Sequence, residues 1–354
     1  MLYKTKTMPL TQLNFQPGID TENSPTGAEG KWIDCDKVRF RKGLPQKIGG
    51  WTKFSEEYYV GVGRALEQWY SLNGSRYEAL GTDRKVYVYQ SGDNQDITPI
   101  RSTDALVNAI TTTNTSATLT ISDAGHGAGV GDFVTLSSVS ANVGGILSTT
   151  LDAEYEILTI TNVDAYTILS SATATSTAGP SANCTATYQL SIGPTIQTFG
   201  YGWGSSTWGA STWGTPRSTS SVILDARLWS INNWGEDLVI TQKDGGTYEW
   251  DTSGGMSGNR ATVIANAPTT STLSMISTET RHVVCMGTET AIANTATQDK
   301  MFIRWSDQEN YNQWTPNVTN SAGSQRIAGG SEIRCARPAK GTILVWTDTT
   351  MQSM

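Results

Sequence analysis

Alternation between apolar and polar residues is the feature that most constrains what this chain can fold into. It recurs from end to end in short runs bounded by Gly, Asn and Asp, such as Lys85–Gln90, Ala117–Ile121, Asp237–Thr241 and Thr342–Thr347. A β-strand points successive side chains to opposite faces, so this alternation is typical of strands with one buried face. Helical spacing fits almost nowhere in the 354 residues. The sequence therefore predicts an all-β protein.

The composition supports a folded chain with no large electrostatic field. Hydrophobic residues make up 37% and charged residues 16%, and short runs of Thr, Ser, Gly and Asn supply the rest. This balance favours β structure over disorder. The net charge of -7 argues against nonspecific binding of nucleic acid through the overall field of the protein. It is compatible with a weakly acidic surface along which DNA moves without being bound.

The cysteines and the N-terminus bear on where the chain folds. Cys35, Cys184, Cys285 and Cys335 lie far apart, without a C-x-x-C pair, and we expect them to be buried thiols of a protein folded in a reducing cytoplasm. The first residues lack an apolar core of signal-peptide length, and no run approaches membrane-spanning length. We expect a soluble protein made in the cytosol.

A loose repeat relates the aromatic-rich strands. Each unit runs from an aromatic strand through a turn and an apolar strand to another aromatic strand, over roughly 40 residues, which is the size of a β-propeller blade. The repeats span Glu67–Pro99, Arg227–Gly255, Arg281–Pro316 and Glu332–Met354. We therefore predict propeller-like blades.

A different composition interrupts the repeats. Between Arg101 and Thr198 the chain is rich in Thr, Ser, Ala and Gly, with five short alternating runs, which predicts an inserted small β-barrel or sandwich in a blade loop. The last repeat stops one strand after Thr342–Thr347, so either the chain is a fragment or partners close the open edge. The predicted organisation is an N-terminal arm with the first strands (1–60), a blade (61–100), the inserted domain (101–198), further blades with a Gly/Trp loop (199–316) and an incomplete final blade (317–354).

Residues that could carry chemistry are sparse. His126 and His282 have no partner in a metal-binding or Ser/His/Asp pattern, and Gly125–Asp132 lacks the Lys-Ser/Thr of a phosphate loop and precedes a strand. Asp244, Gly245 and Gly246 read as a hairpin turn rather than as a sialidase-type Asp box. We expect no catalytic residue, no metal and no cofactor.

A basic run at Asp36–Lys47 is the first candidate interface. Alternation places Lys37, Arg39 and Arg41 on one face of a strand and Val38 and Phe40 on the other. The simpler interpretation is that these are solvated charges on an edge strand, which discourage pairing of that strand with another chain. The functional alternative is a basic rim that contacts a neighbouring subunit or DNA phosphates.

Three tryptophans in GYGWGSSTWGASTWGTPR form the second candidate interface. Trp203, Trp208 and Trp213 are five residues apart, and an odd step cannot keep them on one face of a strand. Large rings on a Gly/Ser-rich segment suit contact with a neighbouring surface. Sugar stacking and attachment of the inserted domain to the propeller are the alternatives.

Several segments resemble the tail nozzle proteins of short-tailed bacteriophages, the relatives of tail tubular protein B and of packaged-DNA stabilisation proteins. The resemblance rests on Phe15–Phe54, with its KVRFRKG and KIGGW motifs, on Tyr201–Arg217 with Ala226–Ile240, and on Ile303–Pro316. The inserted segment is similar to a β module found in such proteins. These matches follow the family's order over nearly the whole chain, although family members usually continue for several hundred residues more.

The resemblance implies a structural virion protein rather than an enzyme. It implies a homo-hexameric ring below the portal and adaptor, with a propeller and a central channel that retains packaged double-stranded DNA and conducts it during ejection without sequence specificity. The implied location is the virion tail, after assembly in the host cytoplasm. The implied partners are adaptor or portal-side proteins and tail fibres, with only indirect contact with the host surface.

The alternative function is a carbohydrate-binding host-recognition module of a tail or tail spike, with the same three tryptophans as sugar platforms. A propeller glycosidase is disfavoured, because none of the carboxylates lies in a recognisable motif.

Overall fold

The structure is a computed structural model that describes residues 16–50, 52–53, 55–191, 193 and 226–354. The chain divides into two compact units, Met1–Glu56 and Glu57–Met354. The described residues are almost entirely β-strands and turns, as the alternation predicts. No helix among them has the length and hydrophobicity needed to cross a bilayer.

In the N-terminal unit, two short pairings organise the chain. Ile19 forms an isolated parallel bridge with Trp32. Strands β1 (Val38–Arg41) and β2 (Leu44–Lys47) form an antiparallel hairpin. The larger unit begins with a four-stranded antiparallel sheet, the first propeller sheet, in the order of the chain. Its strands are β3 (Gly63–Tyr70), β4 (Arg76–Thr82), β5 (Val86–Gln90) and β6 (Asp93–Asp96).

An inserted sheet of eight strands follows. Its order is β13-β8-β9-β12-β11-β10-β14-β7, and residues from both halves share one hydrophobic core, so the sheet folds over on itself. Two register shifts in β11 permit the bend. The elements are β7 (Ile100–Leu106), β8 (Ile110–Thr112), β9 (Thr118–Ser122), β10 (Phe133–Ser137), α1 (Ser148–Leu151), β11 (Glu154–Asn162), β12 (Ala165–Leu169), β13 (Ala178–Ser181) and β14 (Cys184–Gln189).

Three further propeller sheets complete the larger unit. The second and third are four-stranded and the fourth has three strands, all antiparallel and in chain order. The second contains β15 (Trp229–Trp234), β16 (Asp237–Gln242), β17 (Thr247–Trp250) and β18 (Thr262–Val263); the third β19 (Leu273–Ile276), β20 (Val283–Met286), β21 (Phe302–Trp305) and β22 (Gly323–Arg326); the fourth β23 (Ile333–Ala339), β24 (Thr342–Thr347) and β25 (Met351–Ser353). Short 3-10 helices lie at Thr252–Gly254 and Thr295–Thr297.

The four sheets stack face to face in a four-bladed β-propeller arrangement. Trp69 and Trp250 lie in the core between the first and second sheets, Trp314 in that between the second and third, and Met286 in that between the third and fourth. The Trp229 indole N–H donates to the backbone oxygen of Thr82 at 2.6 Å and thus joins the second sheet to the first. These contacts confirm the predicted propeller-like fold.

Most predicted strands are confirmed, and two of the three missed strands of the insertion share a physical reason. β24 matches the predicted run Thr342–Thr347, and β9, β10, β11, β12 and β14 match the five predicted runs of the insertion. The sequence analysis missed β7, β8 and β13. Both β7 and β13 are edges of the inserted sheet, where Pro180 and exposed polar residues are tolerated but blur the alternation. The third propeller sheet also extends past residue 316, because β22 belongs to it.

The prediction of buried cysteines is wrong for two of the four. Cys184 and Cys285 are buried, whereas Cys35 is half-buried and Cys335 is exposed. A register shift separates Ile333 from Cys335 in β23. Both residues border the central cavity described below, but Ile333 is buried in the core with the third sheet, while Cys335 is left exposed.

An ion-pair network holds the inserted sheet to the first propeller sheet. The Lys85 side chain is only 4% exposed; its Nζ lies 2.9 Å from an Asp96 carboxylate oxygen and also contacts Glu154 of β11. Arg84 pairs with Glu156 of the same strand at 2.7 Å. Although burial acts to raise the pKa of Asp96, the charges of Lys85 and Arg260 hold it below its usual value.

We predict that Lys85→Met destabilises the larger unit by about 3 kcal/mol, because two carboxylates lose their buried cation. Chemical denaturation, followed by intrinsic fluorescence, measures the change. Arg326→Met is the control, since Arg326 and Asp299 form an exposed pair and its loss costs at most about 1 kcal/mol. Equal effects of the two variants would contradict the anchoring role of Lys85.

Candidate functional site

The inner strands of the propeller enclose a central cavity of about 510 Å³. Each propeller sheet contributes its first strand, so residues of β3, β15, β19 and β23 form most of the lining. Lys243, in the turn after β16, and residues just before three of these strands complete it. The strands converge because every sheet begins at the axis and proceeds outward in chain order. Residues far apart in sequence, such as Arg64 and Arg337, therefore line one space.

Charged side chains give the central cavity an excess of positive charge. The lining contains four basic side chains but only two acidic ones: Arg64, Lys243, Arg334, Arg337, Glu67 and Glu332. Glu332 and Arg334 form an ion pair at 3.1 Å. The cavity thus differs in sign from the chain as a whole, whose net charge is -7.

Glu67 of β3 is the titratable group whose environment in the cavity is most informative. Burial raises the pKa of its carboxyl, and the positive charge of Arg337 on β23 opposes that rise. Because the charge of Arg337 acts on Glu67, the first and fourth sheets lie close to each other at the axis. The pKa of Glu67 is raised overall, so the attraction to Arg337 does not compensate for the loss of hydration of the carboxylate.

The first and fourth sheets each keep one face open. Hydrophobic clusters join the first sheet to the second, the second to the third and the third to the fourth, but none of the clusters in the described residues joins the fourth to the first. On the open face of β3, Leu66 is 71% and Tyr70 61% exposed. In the fourth sheet, Met351 is 59% exposed. Exposed apolar side chains on an unpaired sheet face are typical of a surface that another element covers.

The alternation predicted for the basic run is present in part, and its role as an interface stays a prediction. Arg39 and Arg41 lie on the exposed side of β1, and Val38 and Phe40 are less exposed, as the alternation requires. The Arg39 Nε donates to the Gln46 side chain at 3.0 Å. Lys37 instead precedes the strand with φ 56°, so the alternation does not extend to it. Its ammonium lies 3.3 Å from the Asp36 carboxylate.

The predicted tryptophan interface, Trp203, Trp208 and Trp213, lies outside the described residues. The residues expected to be structural can be located. His126 is buried, and its Nδ1 accepts from the Ala128 amide at 3.1 Å; the His282 Nδ1 is 2.9 Å from the Ser306 carbonyl oxygen. Within the part of the chain that the structure describes, no His, Cys, Asp and Glu residues cluster as metal ligands.

Two predicted turns are confirmed. Gly125–Asp132 connects β9 to β10 and carries positive φ at Gly125, Gly127 and Gly131. Asp244 has φ 55° in the turn between β16 and β17, as a hairpin with Asp-Gly chemistry requires. Its carboxylate also contacts the Lys300 ammonium, so this turn of the second sheet is tied to the third.

Comparison with known proteins gives distant structural matches and no match in sequence. No family model matches the sequence, and no curated protein does. Among solved structures, a phage phi92 endosialidase is similar with 12% sequence identity and a TM-score of 0.24, over 85% of this chain and 43% of that chain. The chain thus spans less than half the length of that enzyme. A TM-score of this size means that the two chains do not superpose as a whole.

The ionised form of Glu67 is disfavoured in the fold, so we predict that Glu67→Gln raises the thermal midpoint at pH 7, by about 2 °C. A carboxyl whose pKa is raised contributes stability below its ordinary pKa and loses it as the pH rises through the folded value. The gain should therefore vanish near pH 3, about one unit below the usual pKa of Glu, where the wild-type side chain is also neutral. Differential scanning calorimetry at the two pH values measures this. A lower midpoint at pH 7 would show instead that attraction to Arg337 dominates.

Proposed function

We propose that this protein is a structural component of the tail of a short-tailed bacteriophage, of the nozzle type, which assembles into a ring that retains packaged DNA and conducts it during ejection. The single observation that carries the proposal beyond the sequence resemblance is the open face at each end of the stack of propeller sheets. Such faces suit a subunit that completes its packing against neighbours.

The segments that carry the resemblance have structural roles here. Ala226–Ile240 contains the β15 and β16 hairpin, whose Trp229 joins two sheets. Ile303–Pro316 contains the fully buried Trp314. In the N-terminal unit, the Asp20 amide donates to the Trp32 carbonyl at 2.7 Å. Because these segments hold the fold together, their resemblance to tail nozzle proteins supports the proposal of a similar architecture.

The size of the central cavity constrains how such a ring would conduct DNA. About 510 Å³ is the volume of a small-molecule pocket, since such pockets range over about 300–1,000 Å³. A DNA duplex does not fit in it. The DNA channel of the proposed assembly therefore lies between copies of the chain, around the symmetry axis of the ring, and not through the propeller of one subunit.

We expect native mass spectrometry of the purified protein to show a closed ring, most tellingly six copies of the 38.1 kDa chain. Replacing Trp203, Trp208 and Trp213 with Ala should shift the population to monomers while leaving the far-ultraviolet circular dichroism unchanged, because large aromatic rings in a Gly/Ser-rich sequence suit intersubunit contact. The matched control replaces the exposed Val107, Val163 and Leu169 of the inserted domain with Ala. A wild-type protein that stays monomeric, with and without duplex DNA, would contradict the ring.

Charge reversal tests the basic candidate separately. Arg39→Glu with Arg41→Glu should weaken assembly, or the retention of duplex DNA by the ring, most strongly at about 50 mM salt, where charge interactions are least screened. The measurement is analytical ultracentrifugation at low and high salt. The control is Lys340→Glu in the turn between β23 and β24, which should behave as wild type. An assembly and DNA response equal to wild type at both salts would remove Arg39 and Arg41 from the interface.

A further inference from the structure

A second concave site lies between the third and fourth propeller sheets, with a volume of about 320 Å³. We call it the inter-sheet pocket. Val284 and Ile343 belong to the hydrophobic core and form its apolar floor. Trp305 and Pro338 line its sides, and Met354 lies at its rim. It is distinct from the central cavity, with which it shares no lining residue.

Trp305 gives the inter-sheet pocket a flat and rigid apolar surface. Its indole N–H donates to the Ser321 carbonyl at 2.9 Å. Gly323 is its partner in the register of β21 and β22, and a Cβ there would lie 2.2 Å from an indole ring carbon. The ring therefore lies across the Gly323 backbone, which fixes its orientation. Since its one polar group is already bonded, Trp305 offers the pocket only apolar surface.

Hydrogen-bond acceptors lie on the polar side of the pocket. The His282 Nδ1 is 2.9 Å from the Ser306 carbonyl oxygen, which can only accept, so Nδ1 carries a proton, and in the tautomer with that single proton Nε2 is an acceptor. Glu279 accepts the Gly341 amide at 2.8 Å with one carboxylate oxygen. Its other oxygen remains an acceptor. The Ser277 and Thr280 hydroxyls, 2.8 Å apart, complete this side.

This combination selects the chemistry of a ligand. A purely apolar ligand would remove water from the Glu279 carboxylate and from His282 without replacing their hydrogen bonds, which is unfavourable. An anionic ligand would be repelled by Glu279. A ligand with an apolar face and several O–H donors satisfies both sides of the pocket, and a sugar ring has this character.

We propose that the inter-sheet pocket binds a neutral saccharide, with one sugar ring packed on Trp305 and its hydroxyls donating to His282 and Glu279. The volume is at the lower end of that of small-molecule pockets and suits about one or two rings. The proposal rests on Trp305 and not on Trp203, Trp208 and Trp213, the sugar platforms of the carbohydrate alternative drawn from the sequence. It also requires no ring assembly, because all of its residues belong to one chain.

Saturation-transfer NMR of the purified full-length protein tests the proposal. The probes are methyl β-glucoside, methyl β-galactoside and N-acetylglucosamine, each at about 1 mM, where a weak single-ring ligand binds measurably. We expect saturation transfer from the protein to the ring protons of at least one sugar. Trp305→Leu and His282→Phe should each weaken its binding about tenfold, which corresponds to the loss of one good contact.

Controls separate binding from folding. Trp346→Leu alters a tryptophan of the same sheet pair that does not line the pocket, and it should bind as wild type. His282→Phe keeps a planar ring at its position, so it reports on the acceptor if Trp305→Leu fails to fold. Absence of transfer to all three sugars, or equal losses in Trp305→Leu and Trp346→Leu, would overturn the proposal. Because the assay can be run on monomer and ring fractions alike, its failure is distinguishable from failure of ring assembly.

Discussion

Face-to-face packing of successive sheets through buried tryptophans is the interaction on which the rest of the larger unit depends. Trp250 and Trp314 are fully buried between sheets. Trp229 also fixes how two sheets are aligned, because its indole N–H bonds to the end of β4 and its ring lies against Gly81, where a Cβ would come within 2.9 Å. Apolar burial alone has no direction, whereas these N–H bonds specify a position. The convergence of inner strands on the central cavity follows from that alignment.

The insertion uses a different principle. Its own core is apolar and self-contained, but its attachment to the first propeller sheet includes the buried charge of Lys85 and the pair Arg84–Glu156. Buried ion pairs add little net stability compared with apolar packing, yet they penalise a misplaced partner strongly. A polar attachment thus lets a separately folded sheet dock in one orientation without extending the propeller core. The sequence carries no local sign of this network, since Lys85 lies in the turn between β4 and β5 and Glu154 lies in β11 of the inserted sheet.

Features that depend on neighbouring residues in the sequence can be predicted from it, whereas features that depend on contacts between distant residues cannot. The alternation in Thr342–Thr347 is local, and it predicts a strand whose faces differ in burial, as in β24. The run Asp237–Thr241 also forms a strand, but β16 is buried on both faces because its residues belong to the cores on either side of the second sheet. Edge strands such as β13 are missed because one side of an edge is unconstrained. The exposure of Cys335 was not predicted, because a register shift in β23 interrupts the alternation between Ile333 and Cys335. Arg64 and Arg337 line the same cavity only because four sheets stack in a particular order, and no spacing in the sequence predicts that order.

The open faces of the first and fourth sheets pose a physical problem that the proposed function answers. Leu66 and Tyr70 are exposed on a sheet face, and apolar surface of this kind favours association. Uncontrolled association leads to aggregates, whereas closed symmetry limits the contact to a defined number of copies. A ring also supplies what one subunit lacks, because a channel wide enough for duplex DNA cannot be built from a cavity of about 510 Å³. In the proposed ring, neighbouring copies would cover the exposed faces, and the DNA channel would lie between subunits rather than within one propeller.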